Sequence, residues 1–110
     1  MPEVGLAATP DPPYYAVIFS SRPTGESVAE YDAVAALMLK LASEQPGYLG
    51  VETASSDIGI TVSYWRDEAS IRNWRQHLEH TVARERGRSE WYSEYTLRVA
   101  LVERATTFRR

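Results

Sequence analysis

Hydrophobic and polar positions alternate with two different periods along this chain, and the switches between them mark out six elements. Tyr14 to Ser21 (YYAVIFSS) is rich in β-branched and aromatic residues and predicts a strand. Pro23-Thr24-Gly25 then turns the chain. From about Ser27 to Glu44, Val28, Tyr31, Val34, Ala35, Met38, Leu41 and Ala42 fall on one face at helical spacing, and Pro46-Gly47 stops that helix. Tyr48 to Ala54 predicts a second strand, Ser55-Ser56-Asp57 a hairpin loop, and the period-two run Ile58, Ile60, Val62, Tyr64 a third strand. A second helix is expected from about Glu68 to Arg86, broken by Gly87. Asp67 is placed to cap its first N–H groups and Glu68 to complement its dipole. A short aromatic segment, Glu90 to Tyr92, precedes a last strand from Tyr95 to Glu103. The order β-α-β-β-α-β, with antiparallel pairing, is the ferredoxin-like α+β layout with a four-stranded antiparallel sheet. Residues 1–13 hold four prolines and little periodicity, so they read as a flexible tail before one domain over 14–110.

Both faces of the sheet are apolar. The last strand carries Leu97, Val99 and Leu101 on one side and Ala100 and Val102 on the other; the first sets Tyr15, Val17 and Phe19 against Ala16 and Ile18. Two helices cover one face only, so the other calls for a partner, most simply a second copy of the chain. With 110 residues and 44% hydrophobic content there is apolar mass for one core. No run of about 18 apolar residues predicts a membrane span. A basic segment followed by an apolar one is missing at the start, so no signal peptide is expected. The lack of cysteine rules out disulfides and thiolate chemistry and fits the cytoplasm. A net charge of −3 argues against nucleic-acid binding. Arginines nevertheless gather late, at 84, 86, 88 and 98 and then 104, 109 and 110, as a solvated basic face or as an attraction for an anionic substrate or product.

The run YWRDEASIRNW places Trp65 and Trp74 nine residues apart, one closing a strand and the other one turn into the following helix. Each is either a pocket wall or a packing residue. Trp74 lies about 60° from the stripe Ile71, Leu78, Val82 at roughly 100° per residue. His77 sits on the same flank as Trp74 and suits a general base, since imidazole titrates near neutrality; its other reading is a surface histidine. His80 points away from the stripe in a straight helix and inward if the helix kinks near residue 78. The two histidines lack further ligands for a metal. Phe19, Trp91 and Tyr92 add aromatic bulk, packed on the sheet or lining a pocket. Arg98 stands among apolar strand positions, three residues from Tyr95 and hence on the opposite face, either facing a pocket or paired with Glu52. Nucleophile, phosphate-loop, nucleotide and flavin motifs are absent, so an enzyme of this sequence is expected to work without a bound organic cofactor.

The element order resembles the antibiotic biosynthesis monooxygenase (ABM) family of dimeric α/β-barrel proteins. So do Gln45 to Glu52 (QPGYLGVE), the YWRDEASIRNW run, and Gly87 to Arg104 (GRSEWYSEYTLRVALVER). The resemblance covers about residues 14 to 104. It implies a homodimer whose two sheets form a barrel, with a pocket in each subunit between sheet and helices. It also implies cofactor-independent oxygenation of a small aromatic or polyketide-type substrate with dioxygen, with His77 or His80 as catalytic base and Phe19, Trp65, Trp74, Trp91, Tyr92 and Arg98 as substrate-binding residues. A non-catalytic dimer holding an apolar ligand is the alternative. In the family's haem-degrading branch catalysis needs a first-strand asparagine, a second-helix tryptophan and a later histidine. Trp74 matches the tryptophan, but Phe19-Ser20 stands at the asparagine and Arg84 near the histidine, which disfavours that branch.

Overall fold

In the computed structural model, residues 5–23, 28–85 and 92–110 are described, with side chains over 5–22, 36–78 and 94–110. The elements are β1 (Tyr14–Pro23), α1 (Val28–Ser43), β2 (Tyr48–Ser55), β3 (Gly59–Trp65), α2 (Glu68–Glu85) and β4 (Tyr92–Val102). The strands form one antiparallel sheet in the order β2-β3-β1-β4. This is the ferredoxin-like α+β layout that the element order predicts. Trp91 lies outside the described residues, as do the side chains of His80 and Tyr92. β4 starts earlier than periodicity suggests because Tyr92 pairs with Pro23 across an irregularity between Arg22 and Pro23.

The two faces of the sheet differ. Tyr15, Val17 and Phe19 of β1, Ser63 and Trp65 of β3, and Leu97 of β4 face the helices. Val17, Trp65, Ile71, Trp74 and Ala42 make the buried cluster, and Phe19 with Met38 makes a second one joined to it through Leu78 and Leu97. Val99 and Leu101 share the parity of Leu97 yet are 44% and 49% exposed, on a strand that forms the edge of the sheet. The opposite face carries Ala16, Ile18, Val62, Tyr64 and Ala100, and residues 5–9 lie along its β2 side. There the Ala7 N–H donates to Glu52 (3.0 Å) and the Thr9 hydroxyl to the Tyr14 hydroxyl (2.9 Å).

Two junctions fix the helices to the sheet. Gln45 to Tyr48 forms a type II turn, with Pro46 at its second position, Gly47 at φ +87° and the Tyr48 N–H donating to the Gln45 carbonyl (3.3 Å). The Gly47 carbonyl accepts from the Arg66 N–H (2.8 Å), tying this turn to the end of β3. Asp67 caps α2 as its position predicts: Oδ1 accepts from the Ser70 N–H (2.8 Å) and hydroxyl (2.7 Å). Those bonds hold the Asp67 carboxyl below the usual carboxylate range. Ser70 is itself buried, directly beneath Gly47, where an added Cβ would fall on its hydroxyl and Cβ atoms. Gly47→Ala therefore meets both a left-handed backbone and a steric block. It is expected to cost at least about 1–2 kcal/mol in urea denaturation; an unchanged midpoint would contradict this account of the joint.

Candidate functional site

The layer between helices and sheet is walled by aromatic rings. Trp65 is fully buried, and its indole N–H donates to the Ser63 hydroxyl (2.8 Å) two residues earlier on the same strand face. Trp74, at 3% exposure, lies against it with ring centroids 5.4 Å apart and planes inclined by 32°. Tyr48 also meets Trp65, edge-on, at 5.7 Å. Burial pushes the Tyr48 hydroxyl up from its ordinary pKa. Further along the layer Phe19 and Tyr95 stack obliquely at 5.4 Å.

Tyr48 reaches this face because of a bulge. Tyr48 pairs with Trp65 and Gly50 with Tyr64, so Leu49 is an extra residue in β2. The extra residue reverses the alternation, putting Tyr48 on the helix side and Gly50, Glu52 and Ala54 on the open side. Strand periodicity alone does not reveal this switch; glycines at 47 and 50 are its only trace in the sequence. Ser63 was equally hidden, because a serine in an apolar strand gives no sign of an indole partner.

One polar group in the layer stands out. The Trp74 indole N–H is buried and meets no hydrogen-bond acceptor among the described residues. An unmet buried donor costs about 1–3 kcal/mol, and native proteins hold few of them. The structure thus gives the paired tryptophans different chemistry, one N–H satisfied by its own strand and the other without an acceptor among the described residues.

The remaining candidates are dispersed. His77 is exposed on α2, outside the inward stripe of Ile71, Trp74 and Leu78. Phe19 is buried against Met38, with Leu78 and Leu97 beside it. Arg98 projects from the face opposite Tyr95 and the helices, at a shallow cleft of about 140 Å³ shared with Ser20, Arg22 and Thr96. It does not pair with Glu52 of its own chain, because β2 and β4 are opposite edges of the sheet. Glu52 instead accepts from Tyr64 Oη (2.6 Å) and from Ala7. Among the described residues no group of three or more metal-ligating side chains occurs, and no helix is long and apolar enough to cross a membrane.

Two predictions follow from these contacts. Burial first, then the hydrogen bond and charge of Glu52, push the Tyr64 hydroxyl up to about 12. Folding raises this pKa, so its contribution to stability is complete below the ordinary tyrosine range and is lost as pH rises through about 12. Ultraviolet titration should show a late-ionising tyrosine that shifts down in Glu52→Gln; a profile unmoved by that change would refute the assignment. Trp65→Phe and Trp74→Phe remove the same atoms, but only the first strips the buried Ser63 hydroxyl of its donor. Trp65→Phe should therefore be costlier by about 1–3 kcal/mol in urea denaturation, and equal losses would show that the two N–H groups are alike.

The sequence profile of antibiotic biosynthesis monooxygenases matches residues 14–86. Uncharacterised protein YqjZ of Bacillus subtilis is 50% identical over 105 residues, which span 94% of this chain and 91% of that protein. Jasmonate monooxygenase ABM of Pyricularia oryzae is 30% identical over 102 residues, covering 80% of this chain but 43% of that longer protein. Among solved structures, SnoaB, a cofactor-independent oxygenase from Streptomyces nogalater, superposes with a TM-score of 0.63 at 16% identity, covering 90% of this chain and all (100%) of SnoaB. At that identity the likeness is one of fold.

Proposed function

This chain belongs to the antibiotic biosynthesis monooxygenase family, and on that premise we propose that it is a cofactor-independent oxygenase of small aromatic or polyketide-type substrates, working as a homodimer. The observation that carries this reading is the buried Trp74 N–H, unpaired among the described residues, in an aromatic-walled layer. A flat phenolic substrate suits such walls, and its oxygen is the acceptor that the indole lacks.

The chemistry asks little of the protein. A base removes a proton from the electron-rich phenol or anthrone, and the Trp74 N–H steadies the resulting oxyanion. The anion passes one electron to dioxygen, and recombination of the two radicals gives a hydroperoxide at carbon. Loss of water leaves the carbonyl of a quinone, so one oxygen atom enters the product and the other leaves as water. Phe19, Trp65, Trp91 and Tyr92 would enclose the ring; Arg98, on the other face of the sheet, lies outside this layer. His80 or His77 would take the proton. A second reading, a dimer that holds an apolar ligand without turning it over, draws on the exposed position of His77, away from the Trp74 layer.

Oxygen uptake by the purified protein with anthrones, hydroquinones and catechols decides between the two. Turnover above the spontaneous rate, with quinone formed, is expected, together with a loss of about 100-fold in kcat in Trp74→Phe. No uptake across the panel would favour the binding protein. Full activity in both His77→Ala and His80→Ala would remove the histidines from the mechanism.

A further inference from the structure

Two groups of aromatic rings, one on each side of the sheet, meet at the end of β3. On the helix side Trp74 lies against Trp65 with 5.4 Å between centroids. On the open side the ring of Tyr64 meets that of Tyr14 edge-on at 5.7 Å. Trp65 follows Tyr64 in the chain, so the two groups are joined by one peptide unit, with Cα atoms about 3.8 Å apart. Indole and phenol are among the side chains most readily oxidised by one electron, and electron tunnelling falls off exponentially with distance. Rings in contact, or one peptide apart, therefore give an electron a short path between the substrate layer and the far face of the sheet.

The rings differ in where a proton can go. An indole or phenol that has lost an electron becomes a strong acid, and it is trapped as a neutral radical where a base takes that proton. The Trp65 N–H faces the Ser63 hydroxyl, which is no base near neutral pH. The Trp74 N–H meets no acceptor among the described residues. Tyr15 and Tyr48 pack on the same cluster, and neither hydroxyl has a base as partner among the described residues. Tyr14 receives a hydrogen bond from Thr9. Tyr64 instead donates to the Glu52 carboxylate over 2.6 Å, a short charge-assisted bond. Strand register sets up this contact: Gly50 pairs with Tyr64 and Glu52 with Val62, which makes Glu52 the diagonal neighbour of Tyr64 on the open face. With its hydroxyl pushed up to about 12 by burial and then by Glu52, Tyr64 keeps its proton until an electron leaves. Glu52 is placed to take that proton in the same step.

We propose that Trp74, Trp65 and Tyr64 form a path along which an oxidising equivalent leaves the helix-facing layer, ending as a phenoxyl radical at Tyr64 with its proton on Glu52. The source of the oxidant rests on the oxygenase reading above. Homolysis of the O–O bond in the substrate hydroperoxide gives an alkoxyl radical RO• and a hydroxyl radical. RO• takes one electron from Trp74 and one proton from water and becomes the alcohol ROH. An electron from Trp65 then refills Trp74, and one from Tyr64 refills Trp65. In total RO•, a proton, the Tyr64 phenol and the Glu52 carboxylate become ROH, the Tyr64 phenoxyl radical and the Glu52 carboxylic acid. The hydroxyl radical is reduced to water by the same transfer. The radical thus ends on the side of the sheet away from the substrate layer.

Laser-flash spectroscopy on the substrate-free protein tests the path. A pulse at the red edge of indole absorption, where tyrosine is transparent, photoionises the tryptophans, and Trp91→Phe leaves Trp65 and Trp74 as the only two. The indole radical should decay and a tyrosyl radical grow at one shared rate, independent of protein concentration. Tyr64→Phe should abolish that growth, whereas Tyr15→Phe and Tyr48→Phe should leave it intact. Glu52→Gln keeps an acceptor for the hydroxyl but no base for its proton. The rate should then fall by about tenfold, reflecting the difference between a charged and a neutral hydrogen-bond partner. Growth that survives Tyr64→Phe, or no growth at all, would overturn the path. An unchanged rate in Glu52→Gln would overturn the proton step. Oxygen uptake separates this inference from the reading it rests on. A protein that passes the radical to Tyr64 yet consumes no oxygen keeps the path and loses the oxygenase, whereas turnover without radical transfer overturns the path alone.

Discussion

Everything in the helix-facing layer is arranged around the buried indole of Trp65. A side chain of that size, wholly removed from water, dominates the local hydrophobic gain, and its single polar atom must be met inside the core. Ser63 meets it from the same strand, so the ring is positioned without calling on a helix. The helix and the neighbouring strand can then close on a fixed plane, Trp74 at an oblique angle and Tyr48 edge-on. The bulge at Leu49 exists in this context as the means by which β2 offers a ring to Trp65 while keeping Glu52 on the far face.

The joint beside that ring converts short-range chemistry into long-range position. Gly47 brings the first crossover against Ser70, Ser70 is held by Asp67, and Gly47 is bonded to Arg66. The end of one helical crossover and the beginning of the other are therefore a single unit. A small residue at 47 and a short hydroxyl at 70 let backbone and helix approach closely, and that approach lays α2 at the depth where Trp74 touches Trp65.

Much of this could be read from the chain. The six elements, their order and the layout follow from periodicity, the Pro-Gly stop and the Asp67 cap, because each is a local signal that the fold does not override. The division of β1 into two faces followed as well, since alternation is unbroken from Tyr15 to Phe19. The site was less legible. That Trp65 and Trp74 would be central could be foreseen, but not that one N–H would be satisfied and the other left without an acceptor among the described residues, which depends on a neighbouring strand residue rather than on spacing. The pairing of Arg98 with Glu52 within one chain was the natural guess from composition. Strand order rules it out by sending the two to opposite edges, a non-local fact that no window of sequence contains.

The Trp74 N–H, unmet among the described residues, has a thermodynamic consequence. A protein that buries an unmet N–H is less stable than its own packing allows, and a ligand that brings an acceptor to that atom returns the difference as added stability. Binding to the folded state alone raises the unfolding free energy by RT ln(1 + [L]/Kd), whatever the ligand is and whether or not it reacts. The melting temperature of this chain is therefore itself a detector: among otherwise similar flat aromatic compounds, those with an oxygen able to reach the indole should stand apart from those without one.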